Sequence, residues 1–173
     1  MPVHPFAGRV PKLGPGAWVA PGAQLIGDVT VGAEASLWYN VVARGDVMPI
    51  RIGARTNIQD GTVIHGTGGL AAASIGDEVL VGHQAMLHGC TLQDHSFVGL
   101  GAVVMDGGVI EEEGMLGAGA LLPPGKRIGR RELWLGRPAR RVRLLTEAEL
   151  AHNRAAVAGY VELARRHRQS LGE

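Results

Sequence analysis

Cysteine is nearly missing from this chain: Cys90 is the single one in 173 residues. No intrachain disulfide framework can form, and a reducing compartment, the cytoplasm, is the expected setting. Aromatic residues make up only 4%, which excludes an ordinary core built around Phe, Tyr and Trp. Neither charge sign dominates, with 17 Lys and Arg against 16 Asp and Glu and a formal net charge of +1. Whole-molecule attraction to nucleic acid or to a membrane surface therefore has no source. No apolar run reaches bilayer-spanning length, and the opening MPVHPFAGRVPKLGPG carries prolines where a signal peptide has its apolar stretch. What abounds is glycine, 27 residues, beside a hydrophobic fraction of 46%. That mixture suits one domain with many tight turns around small and aliphatic side chains.

An aliphatic residue recurs every sixth position from Val19 through Leu25, Val31 and Leu37 to Ala43. After a three-residue slip the beat resumes at Ile52, Ile58 and Ile64. A segment around Thr67 to Ser74 interrupts it, and it returns at Ile75, Val81, Leu87, Leu92, Val98, Val104, Ile110, Leu116, Leu122, Ile128 and Trp134. A period of six is neither the 3.6 of a helix nor the 2 of a half-buried strand. It is the signature of a parallel β-helix, in which three units make a triangular coil of about 18 residues. The first residue of each unit points inward and stacks on its counterpart one coil away, roughly 4.8 Å along the axis.

The beat ends near residues 136–141. Thr146 followed by Glu149 has capping-box spacing, and Leu150, Val157, Val161 and Ala164 recur at helical intervals. The chain therefore reads as a β-helix over 1–145 and an α-helix over 146–173 lying along it, within one structural domain.

With the slip and the Thr67–Ser74 segment taken as loops, the units at Ala43, Ile64 and Leu87 share a face. Their second positions form a column of Arg44, His65 and His88. Strand spacing brings the two imidazoles close enough to share one metal ion. His83, third in the Val81 unit, stacks instead over Asp60, beside Gln59, and starts from a different face. A neighbouring subunit related by three-fold symmetry can supply it, giving three identical interfacial sites. Three neutral imidazoles with an open position make a catalytic rather than a sealed metal site.

The segments ARGDV (43–47), TNIQDGTVIHG (56–66) and VGHQAMLHGCTLQD (81–94) resemble the γ-class carbonic anhydrases, as do GLGAVVMDG (99–107) and the closing GRPAR. The resemblance covers nearly the whole chain. It implies an all-β, left-handed parallel β-helix of hexapeptide repeats with a C-terminal α-helix, assembled as a homotrimer. It implies zinc or ferrous iron on His65, His83 and His88, and reversible hydration of carbon dioxide to bicarbonate by water acidified on the metal. It further implies that Arg44 pairs with Asp46 or Asp60 of a neighbour and helps position bicarbonate. Gln59 then orients the water, and Asn57 lies near the same pocket. The chain departs from the most active members, which carry a glutamate after RGD and an acidic loop after the first histidine. Here Val47 holds the first place and the loop GTGGLAAAS has no carboxylate. Tyr160 on the terminal helix is the remaining candidate to reach a neighbouring site.

Two other functions compete: a hexapeptide acyltransferase, which needs one histidine as base and a channel for its thioester, and a catalytically weak metal-binding homologue that acts in assembly. The arginines between Arg127 and Arg143 lack aromatic stacking partners and read as a solvated corner rather than a nucleic-acid surface. Glu111–Glu113 reads as a solvated turn, Cys90 as a small buried residue, and Trp18, Trp38 and Trp134 as packing residues. His4, His95, His152 and His167 have no column partner.

Overall fold

The computed structural model of the protein describes residues 3–172. Strands of two to three residues, one per hexapeptide, stack in three parallel columns. The first face holds Val63–His65, Met86–His88, Val103–Val104 and Leu121–Leu122; the second holds Ala73–Ile75, Thr91–Leu92, Val109–Ile110 and Arg127–Ile128. Two longer strands, Gln24–Val31 and Val42–Ile52, turn the corner between these faces and begin both columns. The third face runs from Trp18–Val19 through Ser36–Leu37, Asn57–Ile58, Leu80–Val81, Phe97–Val98 and Met115–Leu116 to Glu132–Gly136.

The six-residue beat explains the core. Leu25, Leu37, Ile58, Ile64, Leu87, Leu92, Ile110, Leu116, Leu122 and Ile128 are fully buried, each stacked on an aliphatic neighbour one coil away. Parallel register fixes those stacks: Ala43 pairs with Ile64 and Ile64 with Leu87 on the first face, and Ile58 with Val81 on the third. Backbone N–H groups at the turns donate to an adjacent coil, from Gln59 forward to Val81 and from Gly89 back to His65, so the corners are satisfied too.

The last unit departs from the expected coil. Glu132–Gly136 and Ala139–Leu144 form an antiparallel hairpin, with Gly136 opposite Ala139. Its first strand pairs with Met115–Leu116, so the third face ends in a hairpin and not in another open parallel strand.

Thr146 caps the helix Glu147–Ser170, and its reciprocal bonds with Glu149 complete a capping box. Leu150, Val157, Val161 and Ala164 are buried beneath it. Trp18, Trp38, Tyr39, Tyr160 and His167 form an aromatic cluster at its far end, with the Tyr39 hydroxyl 2.9 Å from His167 Nδ1. A second set of contacts comes from one corner of the prism, where Glu34, Arg55, Glu78, His95, Glu113 and Arg131 all adopt positive φ, one coil apart. Helix residues pair with this ladder: Arg165 with Glu34, Arg154 with Glu113, and Glu147 with Arg131.

Glu113 is therefore not part of a solvated turn. It is 3% exposed and accepts hydrogen bonds from both Arg131 and Arg154. Burial pushes its carboxyl up, but the two guanidinium groups outweigh that and hold it below the usual value. Its contribution is thus complete at neutral pH and fades as pH falls through the depressed folded value. Glu113→Gln should lower stability by about 1–3 kcal/mol at pH 7. The difference in Tm from the parent should shrink as pH falls through about 4.3, where the unfolded carboxyl is half protonated, and on toward the lower folded value. An undiminished difference in acid would contradict this account.

Candidate metal centre

The slip in the beat is a bulge within Val42–Ile52: Gly27 pairs with Gly45, whereas Val29 pairs with Ile50, so 46–49 loop outward. That loop delivers Asp46 to the histidine column. His65 and His88 are directly paired across adjacent strands. Their rings stand 5.3 Å apart, with His65 Nδ1 3.2 Å from His88 Nε2. The opposite nitrogen of each ring meets a carboxylate: His65 Nε2 lies 3.0 Å from Asp46 Oδ1, and His88 Nδ1 lies 2.7 Å from Asp106 Oδ1.

A carboxylate oxygen is an acceptor, so each of these outer nitrogens carries its ring's hydrogen when the imidazoles are neutral. The two inner nitrogens then face one another as bare lone pairs, an arrangement that a shared cation relieves. Two nitrogens bound tetrahedrally at 2.0–2.1 Å would lie about 3.3 Å apart, and the observed separation fits. Carboxylates behind metal-ligating histidines are the usual orienting partners of such ligands. The donor set thus suits zinc or ferrous iron.

His83 sits at the other end of the first face, at the corner before Met86–His88. Its Nδ1 is 2.8 Å from Asp60 Oδ2, one coil below, and its side chain is 42% exposed. Among the described residues, no three His, Cys, Asp or Glu side chains of one chain gather in metal-binding geometry. His65 and His88 meet; His83 stands apart.

The other expected residues divide. Arg44 is half exposed and donates to Asp46 of its own chain. Burial raises the Asp46 carboxyl, but the bonds from Arg44 and His65 outweigh that and hold it low. Gln59 and Asn57 are buried beside the Asp60–His83 corner, where the Gln59 amide donates to Asn57 Oδ1 at 3.2 Å. Asn57 Nδ2 is buried without a partner. Tyr160 packs edge-on against Trp38 at 5.4 Å, and burial and then the charge of Asp60, the carboxylate beside His83, raise its phenol. Asp106 and Thr67 were invisible as site residues in the sequence. The available signal was that Val104 pairs with Leu87, which places Asp106 beside His88.

Stacked hexapeptide coils with a paired histidine column define a hexapeptide-repeat protein with the makings of a metal site. No family model matches the chain. Gamma carbonic anhydrase 1, mitochondrial, of Arabidopsis thaliana is 43% identical over 164 residues, covering 92% of this chain and 60% of that protein. Protein YrdA of Escherichia coli is 38% identical over 166 residues, covering 92% of this chain and 90% of YrdA. The crystal structure of a hexapeptide transferase family protein from Anaplasma phagocytophilum matches with a TM-score of 0.89 and 45% identity, over 94% of this chain and 96% of that one. A putative acetyltransferase from Bacillus cereus matches with a TM-score of 0.95 and 36% identity, over 96% of both chains. The chain belongs to the γ-carbonic anhydrase-like family of hexapeptide-repeat proteins, and it spans about three-fifths of the plant relatives' length. No helix among the described residues is long and apolar enough to cross a membrane.

Proposed function

We propose that the chain catalyses the reversible hydration of carbon dioxide to bicarbonate. The site would lie between subunits of a homotrimer, where His65 and His88 of one chain and His83 of the next hold zinc or ferrous iron. The observation that carries this reading is the pair of inward-facing ring nitrogens at 3.2 Å, each backed by a carboxylate. When bound, such an ion supplies Lewis-acid activation of water at neutral pH.

The chain's own residues do the rest. Asp46 and Asp106 hold the two ring hydrogens outward, and Asp60 does the same for His83, leaving its Nε2 for a neighbour. Arg44 places a guanidinium at the mouth, where an anionic product can be held. Gln59 lies one coil from His83, so a subunit that lends the histidine brings this amide with it, to orient the water.

A slower reading has its own support. Val47 is exposed and the loop after His65 carries no carboxylate, so no side chain there relays the proton to solvent. In that case the metal serves as an interface staple. The transferase names of the structural relatives raise a third reading, which acyl-CoA protection against heat would support.

Stopped-flow hydration on zinc-loaded and, anaerobically, iron-loaded protein separates them. We expect a metal-dependent rate that climbs with imidazole buffer concentration, because external buffer replaces the missing relay. His83→Ala should abolish it. A loaded protein no faster than buffer at any buffer concentration would remove the enzymatic reading and leave the staple.

A further inference from the structure

We infer that Asp106 is a positioning residue: with the Thr67 hydroxyl on its second oxygen, it fixes His88 in the tautomer whose Nε2 is free for the metal. The inference rests on the reading of His65 and His88 as metal ligands.

Three observations carry it. Asp106 Oδ1 lies 2.7 Å from His88 Nδ1, while Oδ2 accepts from Thr67 Oγ1 at 2.6 Å. Both oxygens are therefore engaged, and the carboxylate plane cannot turn away. Gly89 follows His88 at φ +53°, and a Cβ there would stand 2.3 Å from Asp106 Oδ1. The turn thus leaves a space that the carboxylate fills, so Asp106 is built into the coil. Finally, Thr67 belongs to the outward loop after His65, closed by the Thr67–Ala71 bridge. The hydroxyl, the carboxylate and the imidazole form one chain of bonds that ties this loop to the ligand.

His65 has its counterpart in Asp46, which Arg44 holds in place. The two ligands are thus oriented by different devices: a guanidinium for one, a loop hydroxyl for the other. A ligand whose orienting carboxylate is lost samples both tautomers and swings freely, which typically weakens metal binding 10–100-fold.

The test uses the full-length chain in its native assembly, with Zn2+ affinity measured by competition with a chromophoric chelator. Asp106→Ala should weaken binding about 10–100-fold. Asp106→Asn, which keeps a neutral acceptor oxygen, should fall between it and the parent, and Thr67→Val should cause a smaller loss. In the metal-free protein, 15N shifts of the His88 ring should show the Nδ1–H form in the parent and a mixture in Asp106→Ala. That second readout does not depend on activity and would not respond to a merely structural role. Should Asp106→Ala misfold, Thr67→Val still decides: a shift in both affinity and tautomer supports the inference. Parental affinity and tautomer in both variants would overturn it while leaving the metal site intact. A parent chain that binds no Zn2+ would overturn the site itself, and this inference with it.

Discussion

His88→Ala should release the metal while leaving the β-helix standing. Structural zinc in zinc-finger peptides binds with about 10–16 kcal/mol, which sets the scale. Losing one ligand of three or four removes about 3–4 kcal/mol, a few hundred-fold in affinity. Metal content after dialysis against a weak chelator, measured by elemental analysis, should drop to background. The fold should barely notice. The His88 side chain is partly exposed, and its bonds are to His65 and Asp106, not to the core. The neighbouring position gives the contrast. Leu87 is fully buried in the first-face stack between Ile64 and Val104. Leu87→Ala should cost about 2–5 kcal/mol, read as a large drop in Tm with chelator present. Adjacent residues on one strand thus separate site from scaffold. If His88→Ala unfolded the chain in chelator, or kept its metal, the assignment of these two roles would collapse.

Much of this architecture is legible because the β-helix is governed by local rules. One aliphatic residue per six residues sets the stack, so the units at Ile64 and Leu87 place His65 against His88 without any knowledge of distant contacts. The column of Asp60 beneath His83 follows in the same way from Ile58 and Val81. The beat misleads where it stops being a coil. Trp134 stands at a sixth position, yet its strand turns back as an antiparallel hairpin, a change made by pairing with residues 139–144 that no period announces. Glu113 is a second instance. Three consecutive glutamates look solvated, but only the docked helix, with Arg154, shows why the third is buried.

The site shows the same division. The histidines are set by register and so is Asp106, whereas Asp46 comes from a place where register breaks. Asp46 arrives through the bulge at 46–49. Asp106 follows from the pairing of Val104 with Leu87, and Gly89 leaves room for it. Insertions and deletions in a periodic chain are where side chains can be re-aimed, since every other position is committed to stacking or to the turn. The irregularity at 46–49 thus marks the site beside the histidines.

Co-expression of His65→Ala and His83→Ala chains should restore metal binding that neither chain has alone. In the proposed assembly each site needs His65 and His88 from one subunit and His83 from the next. A homotrimer of either variant has no complete site. With equal amounts mixing at random, a given interface is complete only when a His83→Ala chain gives the histidine pair and a His65→Ala chain gives the third ligand. The chance is one half for each place, so metal content should recover to about one quarter of the parent's, by independent choice of subunits around a closed ring. The same mixture made from separately folded trimers should stay empty until subunits exchange. The distance between His83 and the histidine pair within one chain is what gives this experiment its force. A site closed within a single subunit would show no recovery at all, because every chain in the mixture lacks a ligand. An assembly that is not three-fold could still recover metal, so the mass of the particle, measured by light scattering on the same sample, completes the argument.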